Sequence, residues 1–270
     1  MFATSLEWLV APFSLIQRHR YLLSVTVLSE LRATYAGSVL GLVWVVAGPL
    51  VLLGLYTVVY RVVFRVQPAS MSGIQYVLYV LSGLVAFLSF ASSLTSGAMS
   101  LIKDRQVLLS TVYPAELIGV RTTLLQSFPA IIGLLCTIVG SVIFVGLSPA
   151  LLLVPVILVL QIMFTCGVVW LLSIVTLVVR DVQHILQYLM FILLIVTPIG
   201  YDRDLIPPVL QWVIYFNPLY YFVAAYQDIL VFGRWPDALI IWVTVAGSIT
   251  SFVAAYGVFR NVKQIFFDYA

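Results

Sequence analysis

Long apolar runs separated by short polar breaks set the layout of this chain. The runs cover about 40–64, 76–102, 117–145, 151–179 and 238–259, and a shorter one begins at His184 and ends near residue 199. The long runs reach the roughly 20 residues that carry a helix across a hydrocarbon core, and they lack the strict alternation of a lipid-facing barrel strand. The pattern predicts an all-α integral membrane protein with six transmembrane helices. Pro49 lies inside the first run, where a missing backbone N–H kinks the span. Ahead of it, residues 1–16 carry Trp8 and Phe13 but are interrupted by Pro12, so they are placed on the membrane surface as an interfacial helix. A mixed segment, residues 18–37, leads from there into the first span.

Two of the polar breaks are more than turns. Residues 103–116 gather Lys103, Asp104, Arg105 and Glu116. Between these charges Val107, Leu108, Leu109, Val112 and Tyr113 recur at the spacing of a short helix with one apolar stripe, which Pro114 ends. Such a helix lies at a membrane surface, between spans two and three, where a soluble partner could push. Residues 201–236 hold Pro207, Pro208, Asn217 and Pro218 around two apolar pieces, near 205–216 and 219–232. Pieces of that length suit re-entrant or interfacial helices before the last span. Arg180 and Asp181 form a smaller charged turn between spans four and five.

Composition supports this layout. The chain is 63% hydrophobic and 9% charged, with a mean hydropathy of +1.15, far from the balance of a soluble domain. With six spans both termini share one side, and that side holds nine of the 13 basic residues: Arg18, Arg20, Arg32, Lys103, Arg105, Arg121, Arg180, Arg260 and Lys263. Arg61, Arg65, Arg203 and Arg234 fall on the other. The excess assigns the termini and residues 103–116 to the cytoplasm and the 201–236 hairpin to the outside. The net charge of +3 reflects this sorting and gives no reason to invoke nucleic acid. A single domain results: a cytoplasmic interface segment (1–37), five spans (38–200), the outward hairpin (201–236), and the sixth span with its tail (237–270).

Motif chemistry is sparse. Lys103 and Lys263 are the only lysines and neither follows a glycine, so there is no phosphate-binding P-loop. No carboxylate falls in the middle of a predicted span, which argues against proton or sodium coupling. Arg121 and Arg180 lie near cytoplasmic span ends, where a long side chain can snorkel to water. Asp181 and His184 share a helix face and could form a base pair for catalysis or half a metal site, but nothing completes either, and a helix-end cap is the plainer reading. Cys136 and Cys166 sit in apolar runs as small hydrophobes. Aromatic residues are the positive signal: 16 Phe, 15 Tyr and 6 Trp. Tyr56, Tyr60, Tyr76, Tyr79, Trp212, Tyr215, Tyr220 and Tyr221 crowd toward the predicted outer face. They form either an interfacial belt or a path whose ring faces and hydroxyls suit a sugar chain.

Taken together, these residues resemble the membrane-spanning subunits of ABC-2 type exporters, specifically those for O-antigen, capsule and teichoic-acid polymers. The resemblance covers nearly the whole chain. It rests on Glu30, Arg32, Tyr35, Ser38, Leu40, Gly41, Trp44, Pro49 and Leu50, on Tyr113-Pro114, on Arg180-Asp181, and on Asn217-Pro218-Leu219. Two places depart from the family pattern: Ser110 and Thr111 stand where basic residues are common, and Gln227 follows Tyr226 where an arginine is. The resemblance implies a homodimer with the channel at its interface, and two copies of a separate ATPase subunit that hold the ATP and Mg. This chain would bind no cofactor or metal and carry no catalytic residue.

On that reading the coupling residues are Lys103, Asp104, Arg105, Leu108, Val112, Tyr113 and Glu116, with Glu30 and Arg32. Tyr35, Trp44, Tyr56, Tyr60, Tyr76 and Tyr79 would line the channel, and Pro49, Pro114, Arg180, Asp181, Asn217 and Pro218 would shape or gate it. The location would be the bacterial inner membrane and the cargo a lipid-linked polysaccharide. Two alternatives stay open: an ABC-2 permease for small hydrophobic molecules, and a membrane-embedded enzyme acting on lipid-linked sugars through Asp181 and His184.

Overall fold

The structure, a computed structural model, describes residues 5–59, 71–201 and 208–269. Tyr60, Arg61, Arg65, Arg203 and Pro207 lie outside the described residues. The described chain is helical throughout. Two helices at its start, α1 (Ser5–Arg18) and α2 (Arg20–Thr34), precede a 3-10 turn and α3 (Trp44–Val58). Then come α4 (Gly73–Ala98), the short α5 (Ser100–Lys103) and α6 (Arg105–Ser110), and the long α7 (Glu116–Phe144). A 3-10 turn leads into α8 (Val154–Val178), followed by α9 (Val182–Val196), α10 (Pro208–Tyr215), α11 (Pro218–Leu230) and α12 (Ala238–Tyr269).

Four of these pieces are long and apolar enough to cross a membrane: Gly73–Ala98, Glu116–Phe144, Pro149–Val178 and Ala238–Lys263. The apolar runs of α3 and α9 are shorter. At 1.5 Å per residue the 15 residues of α9 extend about 22 Å, less than a hydrocarbon core of about 30 Å. The protein is a multi-pass membrane protein in which the short helix α9 is followed by two further short helices, α10 and α11.

Local sequence explains the boundaries. Ser72 and Gln75 form a reciprocal capping box at the start of α4. Asn217 caps α11 by accepting from the Leu219 amide, with Pro218 in the first turn. Gly146, at φ +106, closes the turn out of α7, a conformation that costs a residue with a Cβ. Pro12, expected to break the first segment, lies inside α1, which continues through it and sets Phe13 against Phe252 of α12 with ring centroids 5.2 Å apart. The mixed segment after it becomes a regular helix because Leu23, Val27 and Leu31 recur every four residues and form one buried stripe on α2.

Two helices make the centre. α4 is buried over most of its surface, and every residue of α11 from Leu219 to Leu230 is buried. Small residues let the helices approach. A Cβ on Gly167 of α8 would stand 2.5 Å from the carbonyl oxygen of Ser251 on α12, and one on Gly83 of α4 would stand 3.2 Å from side chains of Ile199 and Val223.

The 103–116 stretch is not the single helix its spacing predicts. Asp104, at φ −93 and ψ 13, breaks it into α5 and α6, and Thr111 is already extended, so the helix ends at Ser110 and not at Pro114. The residue before a proline resists the helical region, and here the extended backbone has begun two residues earlier still. The apolar stripe also divides: Leu108 is buried, whereas Val107, Leu109 and Val112 are exposed.

Candidate functional site

The two ends of the bundle carry different chemistry. At the end where α2, α6, the start of α7 and the end of α12 converge, the polar groups are charged. Arg121 lies just over one turn into α7 from Glu116 and its side chain is 10% exposed. Its Nε stands 2.9 Å from Glu30 Oε2 of α2, an ion contact that is not aligned as a hydrogen bond, and its Nη2 donates to Asp104 Oδ2 at the α5–α6 break. One guanidinium therefore joins three segments. The predicted snorkelling of Arg121 is corrected: its fork finds two carboxylates inside the protein, which offset the loss of water.

A second pair lies beside it. Lys263 Nζ donates to Glu116 Oε1 at 2.7 Å, and the Trp170 indole N–H donates to the Glu116 backbone oxygen at 2.8 Å. This ties α12, α7 and α8 together. Beneath the charges is an apolar floor that includes Leu23, Val27, Leu101, Leu108, Trp170, Phe252 and Phe259. Glu116, expected with Lys103 and Arg105 as a charge available to a partner, is instead buried and paired. Lys103, Arg105 and Arg32 are exposed. Tyr113 is half-buried against the apolar floor with its hydroxyl enclosed, and half-buried Pro114 accepts the Leu117 amide in the first turn leading into α7.

At the opposite end the ties run mainly to backbone carbonyls. Tyr76 donates its hydroxyl to Gly200 at 2.8 Å and Tyr79 to Tyr201 at 3.3 Å. Gln227 donates to the carbonyl of Pro198 at 3.1 Å, and Asn217 Nδ2 donates to Thr197 Oγ1 at 2.8 Å. Ser148 donates to Gly233 across the mouth of the bundle at 2.6 Å. Buried Asp228 of α11 pairs with Arg234, 2.8 Å from its Nη2.

Two of the tyrosines expected along the channel are buried within the bundle. Tyr76 and Tyr79 are 1% and 2% exposed, and they strap the end of α9 to α4 because α4 is the central helix and surrounds them with neighbours. Trp44 is exposed on α3, Tyr56 is half-buried against the core, and Tyr35 is half-buried at the end of α2. Pro49 lies within α3.

Between α3, α4 and α7 is a cavity of about 280 Å³ that brings Ser89, Ser92 and Gln126 together with Leu52, Val85 and Leu88. Composition did not point to these three polar residues, though their recurrence in apolar runs was visible. Arg180 and Asp181 form an exposed turn. Asp181 stands at the N-cap of α9 without a side-chain cap bond, and the ring of His184 meets only the Gln183 amide among the hydrogen bonds found for it, at 3.3 Å. Among the described residues no three His, Cys, Asp or Glu side chains are grouped to hold a metal.

Comparison with known proteins follows the same lines. The profile of the ABC-2 type transporter family matches residues 21–231, from α2 to the end of α11. An O-antigen export system permease protein RfbA of Klebsiella pneumoniae is 31% identical over 218 residues, which cover 78% of this chain and 81% of that protein. A second K. pneumoniae protein of that name is 28% identical over 251 residues, covering 91% and 93%. Its namesake from Myxococcus xanthus is 27% identical over 256 residues, covering 93% and 96%.

Proposed function

The chain belongs to the ABC-2 type transporter family, and from that premise we propose that it is the permease subunit of an exporter that carries an O-antigen polysaccharide, lipid-linked, across the bacterial inner membrane. A separate ABC ATPase supplies the energy and holds the ATP and Mg; this chain binds no cofactor of its own. The observation that carries the reading is the near full-length similarity to permeases whose names specify O-antigen export. In this reading α3, α4, α7, α8, α9 and α12 are the six spans of one transmembrane domain, both termini are cytoplasmic, and two copies pair with two ATPase subunits.

The exposed side of α5 and α6, with Lys103 and Arg105 outermost, is the face offered to the ATPase. It stands directly on the Arg121 cluster, so force applied there reaches α2 and α7. Tyr35, Trp44, Tyr56 and Tyr60 remain the aromatic candidates for the polymer path, together with Ser89, Ser92 and Gln126 around the cavity beside α3. Weak repeated contacts suit a moving polymer better than tight charged ones, since stacking on a ring contributes roughly 0.5–1.5 kcal/mol.

The test is reconstitution in vesicles with the ATPase subunit and lipid-linked O-antigen. ATP-driven movement of polymer to the opposite leaflet is expected, with no ATP hydrolysis by this chain alone. Hydrolysis by the isolated chain, or transport of small hydrophobic molecules in place of polymer, would refute the reading.

A further inference from the structure

We propose that Arg121 is a positioning residue for transport, a two-armed tie that makes the α5–α6 segment, α2 and α7 move together when the ATPase acts. The proposal rests on the permease reading and adds to it how force enters the bundle. It starts from how loosely α6 is held. Of its six residues only Leu108 is buried, and an apolar contact transmits a push but resists a pull weakly. The second attachment is Asp104, at the break between α5 and α6, where the backbone leaves the helical region and a swing of α6 would begin. Asp104 is held by Arg121. An ion pair anchored at the hinge resists displacement in both directions, so α6 cannot be drawn outward without drawing on α7.

The second arm has a different character. Glu30 lies on α2, whose own hold on the body is the stripe of Leu23, Val27 and Leu31. Its side chain is 40% exposed, against 19% for Asp104 and 10% for Arg121. Neutralising a buried arginine takes one carboxylate, so a second carboxylate, from a different segment, is what a bridge requires and a simple pair does not. The Glu30 arm is the weaker one, since Arg121 Nε and Glu30 Oε2 stand 2.9 Å apart without the alignment of a hydrogen bond, whereas Nη2 donates to Asp104. The Asp104 arm is the fixed link, and the Glu30 arm is the one that yields first when α2 and α6 are driven apart. A lysine in place of Arg121 would keep the charge, but it lacks the planar fork that grips two carboxylates at once.

The experiment uses the full complex of permease and ATPase in vesicles, with Glu30→Gln, Asp104→Asn, Arg121→Lys and Arg121→Gln. Two quantities are read at equal folded complex: polymer exported per ATP hydrolysed, and the distance between spin labels at exposed Gln106 and Ser24 with and without ATP. Asp104→Asn and Arg121→Lys should keep ATP hydrolysis yet lower export per ATP about fivefold or more, the scale of a typical coupling energy between sites. Glu30→Gln should lower it less. The label distance, single and narrow in the parent, should broaden in Asp104→Asn.

Unchanged export per ATP and unchanged distance in both Asp104→Asn and Arg121→Lys would overturn the proposal, as would a fall in folded protein with no change in that ratio. If Arg121→Gln fails to fold, the other three variants decide. If the parent complex moves no polymer but the distance still broadens in Asp104→Asn, the export reading has failed and the tie stands.

Discussion

Leu108 and Val112 look equivalent in sequence, four residues apart on one helical stripe, and the structure separates them completely. Leu108 is 6% exposed in the apolar floor beneath the charge cluster, whereas Val112 is fully exposed just past the extended Thr111 that ends α6. Removing a buried leucine side chain costs about 2–5 kcal/mol. Placing a carboxylate in the vacated space adds a desolvation cost of about 2 kcal/mol or more, and here it would join Asp104, Glu30 and Glu116 at the same end. Leu108→Asp should therefore lose most of its folded protein. Val112→Asp changes an exposed surface position, so its cost should stay within about 0.5 kcal/mol. Size-exclusion chromatography after graded heating, with fluorescence detection, measures both. If Val112→Asp folds normally but loses ATPase-driven export, Val112 lies in the partner interface. Equal loss of folded protein in the two variants would refute the placement of Val112, and a normally folded Leu108→Asp would refute that of Leu108.

Two further outcomes test the bundle itself. Gly167→Leu should abolish folding, because even a Cβ there meets the Ser251 backbone at 2.5 Å; a stable variant would mean that α8 and α12 do not cross at that point. With Cys136 and Cys166 replaced by alanine, a membrane-impermeant thiol reagent applied from outside should modify Leu147→Cys, in the turn after α7, and leave Val112→Cys untouched; the reverse pattern would invert the orientation.

The parts of this fold that were legible in sequence are those that the membrane itself dictates. Hydrocarbon demands apolar length, so α4, α7, α8 and α12 are marked by hydropathy, and the prolines of the 201–236 stretch mark the two short helices before α12. Neighbours between helices were not legible. Arg121 reads as a charge near a span end, and no local pattern links it to Asp104 and Glu30, which approach it only when α2 and the α5–α6 break fold against α7. Tyr76 and Tyr79 read in sequence as members of an outer-face wall but are buried at the end opposite the charge cluster, because the central position of α4 follows from packing and not from its own sequence. The 103–116 stretch shows the limit of periodicity: spacing identified an amphipathic segment but not the break at Asp104 or the early stop at Ser110, both set by contacts and by the extended chain before Pro114.

The contrast between the two ends bears on where a polymer path can lie. The segment after α9 is strapped to α4 by Tyr76 and Tyr79 and to α11 by Asn217 and Gln227, and α11 is buried from Leu219 to Leu230. Each such hydrogen bond contributes about 0.5–1.5 kcal/mol, and moving α11 would also expose a whole apolar helix. On the proposed permease reading, α4, α11 and the end of α9 therefore move as one body, and opening a passage through their centre would dismantle the core. By contrast, α3 keeps Val46, Leu50, Val51 and Leu55 exposed, and α9 keeps Ile185, Phe191, Ile192 and Ile195 exposed. A passage that opens along those faces leaves that body intact. On the proposed reading of two paired copies, a path for a long chain fits beside the subunit, along faces that the second copy closes, and the ties at Arg121 would serve to move each subunit as a unit against its neighbour.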